Sequence, residues 1–190
     1  MRFYTALINK QPEVLVGFEQ GGPAYRLPLL ARLAPELAFS DMNALILGYN
    51  DKVRATLARL AANADTLQGA AVAVDEVKLL APIVRPLQDV VCLGINYDAH
   101  AQEAGRFSDE AFGGERPYTI YFSKRVNRAT ATGEKVPAYA GLVDSLDYEA
   151  ELGVVLGKDA KGVTKDEARD YVFGYTIIND ISARNLQTRH

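Results

Sequence analysis

The amino-acid sequence predicts a mostly β protein with a few helices, an α+β chain in which a curled sheet or barrel follows a small N-terminal domain. Short strand-like apolar runs outnumber segments with helical spacing. Glycine and proline separate many of these runs, and Pro82 and Pro86 precede a strongly apolar stretch. We therefore predict one domain at residues 1–78 and a second domain at residues 79–190.

The N-terminal domain is predicted to contain short strands and one amphipathic helix. The strand-like runs are Arg2–Ile8, Glu13–Phe18 and Ala24–Leu27, with a turn at residues 21–23 before the last of them. Apolar residues recur at helical spacing over Lys52–Ala62, and Asp51 is placed to cap the start of that helix.

The second domain is predicted to combine strands with short helices. Its strands are expected at Val90–Ile95, Thr119–Phe122, Tyr148–Leu156 and Gly174–Asp180. A helix is expected at Tyr97–Ala104, stopped by Gly105, and a polar loop at residues 106–116. Thr164 and Glu167 have the spacing of a capping box, which predicts the start of another helix. The sequence stops directly after a polar, functional-looking segment, so we expect the sheet to continue beyond residue 190.

Composition and charge narrow the classes of function. The net charge is only -3 and no basic block occurs, so neither nucleic-acid binding nor attraction to a membrane surface is expected. The sequence has neither the apolar core of a signal peptide nor a stretch long enough to span a bilayer, which predicts a cytoplasmic protein. The one cysteine, Cys92, lies in an apolar run typical of a core residue and leaves no intramolecular disulfide.

Three acidic residues predict a metal site. Glu149 and Glu151 alternate along a strand and so share one face, while Ala150, Leu152 and Val154 on the other face are expected to enter the core. Adjacent carboxylates on a largely buried strand repel unless a cation joins them, and oxygen ligands favour Mg²⁺, Mn²⁺ or Ca²⁺. Asp180 ends another apolar strand and would complete the set if the two strands pair. The alternative is an ordinary solvated sheet face.

A histidine and a glutamate form a second candidate group. His100 and Glu103 lie three residues apart on the predicted helix, so they share a face and can form a hydrogen bond. A carboxylate that orients a histidine also raises its basicity, which suits a general base near neutral pH. The alternative is an ordinary charged pair on a surface helix.

Three further residues are candidates for binding a substrate. Arg184 offers a planar fork suited to a carboxylate, and Gln187 follows three residues later. The alternative for this segment is the start of a surface helix that Ser182 caps. Lys124 ends a predicted strand and is a weaker candidate, because a lone lysine there is usually solvated.

Four motifs in order resemble the fumarylacetoacetate hydrolase family, over roughly residues 80–188. They are VVCLGINYDAHAQEAG, YFSK, DYEAELGVVLGKDAKGV and DYVFGYTIINDISARNLQ. The resemblance implies a mixed β-sandwich roll, usually a homodimer, that binds magnesium or manganese. It implies that Glu149, Glu151 and Asp180 are metal ligands, that His100 and Glu103 are a catalytic dyad, and that Arg184 and Gln187 lie near the substrate. Asn185 departs from the family pattern, which usually has aspartate there.

The same resemblance implies a reaction class. It predicts metal-dependent hydrolysis of a carbon–carbon bond in a small 2,4-dioxo acid of the acylpyruvate type, through a metal-stabilised enolate. The same chemistry would serve an isomerase or a decarboxylase of a 2-oxo or dienoic diacid in aromatic catabolism. A module that binds a cation without catalysis is the alternative from another class. The family also places an active-site lysine after the position of residue 190.

Overall fold

The computed structural model describes residues 1–94 and 118–187. The chain divides into two compact units, of which the first contains Met1–Val84 together with the residues from Thr130 onward, and the second contains Arg85–Ala129. Strands outnumber helices in the described residues, as predicted. The predicted boundary between residues 78 and 79 stays a prediction.

The first unit begins with a five-stranded antiparallel sheet in the order β4-β3-β2-β1-β5. Its strands are β1 Arg2–Ile8, β2 Gln11–Gly17, β3 Ala24–Arg26, β4 Ala71–Val72 and β5 Lys78–Leu79. The predicted bounds of β1 are therefore confirmed. A two-residue turn through Asn9 and Lys10, both at positive φ, joins β1 to β2, and this backbone matches the twist of a hairpin.

The described residues also form short helices. The α-helices are α1 Leu27–Leu30, α2 Met42–Gly48, α3 Asp51–Ala61 and α4 Arg184–Gln187. Four 3₁₀-helices lie at Pro35–Leu37, Ala64–Ala70, Val74–Glu76 and Ala168–Tyr171. The predicted helix over Lys52–Ala62 is confirmed as α3, but the predicted cap is wrong. Asn50 has the extended backbone of a cap and accepts a hydrogen bond from the Val53 amide at 3.1 Å, whereas Asp51 is already helical.

The core of the first unit lies between the five-stranded sheet and helices α1 to α3. Val16, Leu27, Leu45 and Leu57 are fully buried in this core. An aromatic cluster extends this core to a later part of the chain. Phe173 lies 5.7 Å from Phe3 and 5.2 Å from Tyr49 between ring centroids, so strand β1 and a strand from the family-like segment share one apolar contact.

Two antiparallel strand pairs complete the first unit. Strand β8 Leu146–Asp147 pairs with β11 Ser182–Ala183, and β9 Ala150–Leu156 pairs with β10 Val172–Asn179. The predicted helix after Thr164 is wrong, because only a turn and the 3₁₀-helix Ala168–Tyr171 follow. The capping-box contacts do form. The Thr164 hydroxyl donates to Glu167 at 2.6 Å, and this bond holds the pKa of the Glu167 carboxyl below its usual value.

The apolar face of β9, which was predicted to be buried, is the exposed face in this chain. Leu152 and Val154 are 60% and 52% exposed in this chain, and Ile177 beside them on β10 is 84% exposed. The face that carries Glu151 is the more covered one, since Val155 on that face packs with Phe173 against the main core. The prediction that Ala150, Leu152 and Val154 enter the core is therefore wrong.

The second unit contains one described hairpin. Its strands are β6 Val90–Gly94 and β7 Ile120–Lys124, which pair antiparallel. Cys92 is half-buried on β6, where its thiol donates to the Val90 carbonyl at 3.7 Å, so it is not the core residue that the sequence predicted. Across the described segments of both units, no helix is long and apolar enough to cross a membrane.

Candidate metal and substrate site

The pairing of β9 with β10 brings the three predicted ligand positions to one end of a strand pair. Ile178 lies opposite Glu151 in the register, and the Asp180 amide donates to the Glu149 carbonyl at 2.7 Å. Glu149 lies just before β9 rather than within it, and its amide donates to Asn179 Oδ1 at 3.1 Å. The strand that ends before Asp180 therefore pairs with the strand of the two glutamates, which was the condition for the three acids to lie near one another.

Glu149 and Glu151 share a face, as the alternation of side chains predicts. Both glutamates are half-buried, whereas Tyr148 and Ala150 beside them are exposed, Tyr148 by 78%. The next residue on the glutamate face is Gly153. A Cβ atom there would lie 2.8 Å from Ile178 Cδ1, so glycine lets the isoleucine opposite Glu151 pack closely across the strands.

Arg184 provides the positive charge beside these acids. Its Nη2 lies 3.0 Å from Glu149 Oε1 and 2.9 Å from Asp147 Oδ2, and its Nε also donates to Asp147 Oδ2 at 2.9 Å. The third nitrogen, Nη1, donates to Gln187 Oε1 at 2.9 Å. The structure thus brings Arg184, Gln187 and Glu149 together, and one guanidinium neutralises part of the charge that the carboxylates carry.

The described residues do not form a closed ligand set. Within residues 1–94 and 118–187, no three His, Cys, Asp or Glu side chains lie close enough to hold a metal ion. The donors themselves fit a hard divalent cation, because they are carboxylate oxygens. The Glu151 side chain makes no hydrogen bond or ion pair with any other described residue. The assignment of Glu149, Glu151 and Asp180 as metal ligands stays a prediction.

The other predicted site residues are not tested by this geometry. His100 and Glu103 lie outside the described residues, as do the helix Tyr97–Ala104 and the loop at residues 106–116. Lys124 ends β7 in the second unit. The catalytic role of the histidine and glutamate and the substrate contact of the lysine stay predictions.

Asp147 is a site residue that the sequence reasoning missed. It ends β8, and its carboxylate accepts two of the guanidinium contacts of Arg184. A signal was present in the sequence, because Asp147, Glu149 and Glu151 occur at alternate positions and so predict three acids on one face. Only the pairing of β8 with β11, which Arg184 directly follows, reveals that the first of these acids binds an arginine.

Asn185, the departure from the family pattern, donates from Nδ2 to the Leu142 carbonyl at 3.1 Å. Its Oδ1 is buried and has no hydrogen-bond partner among the described residues. An aspartate could not donate to Leu142 and would place charge on the buried oxygen. We expect Asn185→Asp to lower the free energy of unfolding by about 1–3 kcal/mol, measured by urea denaturation.

The matched control is Asn127→Asp, an identical change at an exposed position, which should alter the free energy of unfolding by less than about 0.5 kcal/mol. Equal effects of the two substitutions would contradict a specific role for the Asn185 amide.

Comparisons with known proteins agree with these motifs. Residues 89–190 match the family model described as fumarylacetoacetate (FAA) hydrolase, C-terminal. An oxaloacetate tautomerase of Bacillus subtilis, YisK, is 45% identical over 115 residues, which are 60% of this chain and 36% of that protein. The chain thus spans about a third of the length of the curated relatives that it matches.

Solved structures confirm the predicted fold class. A fumarylacetoacetate hydrolase of Exiguobacterium antarcticum is 26% identical, with a TM-score of 0.64 over 99% of this chain and 58% of that chain. A maleylpyruvate hydrolase of Sphingobium sp. SYK-6, solved with manganese(II) and pyruvate, is 21% identical, with a TM-score of 0.64 over 97% of this chain and 60% of the other.

Proposed function

The chain belongs to the fumarylacetoacetate hydrolase family, and from this premise we propose that the complete protein is a divalent-metal-dependent enzyme acting on a small 2-oxo acid. Its reaction begins with loss of a proton from the carbon beside the keto group, or with attack of water on a second carbonyl. The carrying observation is the pair of half-buried carboxylates, Glu149 and Glu151, on one strand face beside Arg184.

The proposed metal ligands are Glu149, Glu151 and Asp180. Their oxygen atoms suit Mg²⁺ or Mn²⁺, with Ca²⁺ as a possible substitute. When bound, the cation would supply Lewis-acid polarisation of the keto oxygen, which favours charge development there. The antiparallel register of β9 and β10 supports this ligand set, because it joins the backbones of Glu149 and Asp180 directly.

Arg184 is the proposed partner of the substrate carboxylate. Its guanidinium forms a planar fork, and one edge of that fork is held by Asp147 while Gln187 accepts a hydrogen bond from Nη1. A negatively charged substrate would draw the guanidinium away from Glu149 and release that carboxylate for a cation. Lys124 remains a proposed second contact to the substrate.

His100, oriented by Glu103, is the proposed base. In a tautomerisation it takes the proton from the carbon beside the keto group while the keto oxygen gains a proton to give the enol, and the reverse transfers convert the enol to the keto form. In a hydrolysis it takes a proton from water, which attacks the second carbonyl. The bond from that carbonyl carbon to the carbon beside the keto group then breaks, the attacked carbon becomes a carboxylic acid, and the leaving carbon takes up the proton. Both reactions need the same binding of the 2-oxo acid.

Two reactions are supported on separate grounds. Tautomerisation of oxaloacetate is favoured by the 45% identity to the Bacillus subtilis enzyme of that name. Hydrolysis of an acylpyruvate is favoured by the predicted His100 and Glu103 dyad, which suits the activation of water. Isomerisation of a dienoic diacid would use the same proton transfer, whereas decarboxylation of a 2-oxo diacid would lose carbon dioxide and then add a proton to the carbon beside the keto group.

A substrate panel tests the proposed function. The complete protein, freed of metal and then supplied with Mg²⁺ or Mn²⁺, should be offered enol oxaloacetate, acylpyruvates and dienoic diacids. A metal-dependent decay of the enol absorbance without pyruvate release is expected for a tautomerase. Metal-dependent pyruvate release from an acylpyruvate is expected for a hydrolase.

The metal-free protein and a Glu151→Gln variant serve as controls for that panel. Turnover that persists in both would contradict a metal-dependent mechanism. Absence of turnover with every compound, together with tight Mn²⁺ binding, would favour a cation-binding module over an enzyme. The homodimer that the family resemblance implies and the cytoplasmic location that the sequence predicts are part of the same proposal. Light scattering of the complete protein tests the dimer.

A further inference from the structure

Strands β8 and β11 fix the relative positions of Asp147 and Arg184. Ser182 lies opposite Asp147 in the register, and Ala183 lies opposite Leu146. The ladder is extended by the Arg184 amide, which donates to the Ser145 carbonyl at 2.8 Å. The backbone pairing therefore makes Arg184 and Asp147 diagonal neighbours on one face of the strand pair, where their side chains can reach each other.

Each of the three guanidinium nitrogens of Arg184 has a partner. Nε and Nη2 both contact Asp147 Oδ2 at 2.9 Å, Nη2 also contacts Glu149 Oε1 at 3.0 Å, and Nη1 donates to Gln187 at 2.9 Å. One positive charge thus faces two carboxylates. Only one of these, Glu149, is a proposed metal ligand, which leaves Asp147 without a role in the proposed function.

We propose that Asp147 is a positioning residue that holds Arg184 at the edge of the metal site and limits its pairing with Glu149. This inference rests on the proposed function. With Asp147 present, the guanidinium divides its attraction between two carboxylates. Without that charge, Arg184 pairs more closely with Glu149 and competes with a cation for the same oxygen atoms. The arginine also loses the orientation that suits a substrate carboxylate.

Asp147→Asn in the complete protein tests the inference, because asparagine keeps the size and one acceptor oxygen but removes the charge. We expect Mn²⁺, titrated calorimetrically without substrate, to bind about tenfold more weakly. We also expect the KM for the substrate found in the panel to rise about tenfold, while kcat changes by less than about threefold. Asp144→Asn, at an exposed position in the same segment, is the matched control and should change neither quantity.

A double-substitution cycle separates action through Arg184 from a direct effect of charge on the cation. In the Arg184→Gln background, Asp147→Asn should change Mn²⁺ affinity by less than about twofold, because the competing guanidinium is gone. The same tenfold loss in that background would overturn the inference and assign Asp147 a direct electrostatic effect. Equal behaviour of Asp147→Asn and Asp144→Asn would overturn it as well.

Different results would contradict the metal-dependent activity and the role of Asp147. If the unsubstituted protein binds no Mn²⁺ and turns over no member of the panel, the proposed function is contradicted and the inference falls with it. If the unsubstituted protein binds Mn²⁺ but Asp147→Asn leaves this affinity unchanged, only the role of Asp147 is contradicted. Thermal denaturation of each variant, with melting temperatures close to that of the unsubstituted protein, shows that the comparison concerns folded molecules.

Discussion

Replacing Glu151 with glutamine is expected to remove measurable Mn²⁺ binding and to lower turnover by about 10³-fold, equivalent to roughly 4 kcal/mol of lost transition-state stabilisation. Glutamine has nearly the same shape, so the packing of Ile178 over Gly153 beside it should be kept. What changes is the charge, since a neutral amide oxygen is a much weaker partner for a divalent cation. Calorimetric titration with Mn²⁺ and steady-state kinetics measure the two effects.

The control for this substitution is Asp159→Asn, which removes one negative charge at an exposed position shortly after β9. It should leave both Mn²⁺ affinity and turnover within about twofold of the unsubstituted protein, because a solvated charge is screened by water and salt. If Glu151→Gln binds Mn²⁺ as tightly as the control does, Glu151 is not a ligand.

The second large effect concerns stability. Leu45 is fully buried in α2, and Leu45→Ala is expected to lower the free energy of unfolding by about 2–5 kcal/mol, from lost apolar burial and the cavity that remains. Against a typical total of about 5–15 kcal/mol, this loss is large. The chain contains no tryptophan, so chemical denaturation is best followed by far-UV circular dichroism.

Leu47 offers a matched control within the same helix. It is 65% exposed, so Leu47→Ala removes the same atoms without opening a cavity and should change the free energy of unfolding by less than about 0.5 kcal/mol. Similar losses for the two alanine variants would contradict the orientation of α2 against the core.

Local patterns predicted local structure well. The strand-like run Arg2–Ile8 is strand β1 as expected, and the helical spacing over Lys52–Ala62 corresponds to α3 within one residue at each end. The sequence of each of these segments is enough to predict its secondary structure, because that structure depends mainly on neighbouring residues. Helix α2 was missed because it is short, although Asp41 caps it and accepts a hydrogen bond from the Ala44 amide at 2.9 Å.

The errors arise where the outcome depends on parts of the chain outside the local pattern. Alternation along β9 predicted two faces, but it could not say which face would contact other elements, and the assignment of Leu152 to the core was wrong. The Thr164 capping box formed its hydrogen bonds, yet strand β10 begins shortly afterwards and leaves room only for a 3₁₀-turn.

The candidate site shows the same division between local and long-range information. The shared face of Glu149 and Glu151 could be predicted from their spacing alone. The contact of Arg184 with Asp147 could not, because it depends on the pairing of β8 with β11, which are far apart in the sequence. Sequence spacing therefore finds candidate residues, and strand register decides which of them meet.

The aromatic cluster of Phe3, Tyr49 and Phe173 has a consequence for the order of events during synthesis. Phe3 and Tyr49 leave the ribosome well before Phe173, and at about 5–20 residues per second the delay between Tyr49 and Phe173 is roughly 6–25 seconds. During this interval the nascent N-terminal sheet has an apolar edge that its last aromatic partner has not yet covered. A pause in synthesis between these segments would lengthen the time for which this apolar surface is exposed. A chaperone that binds apolar surface would cover it during that time.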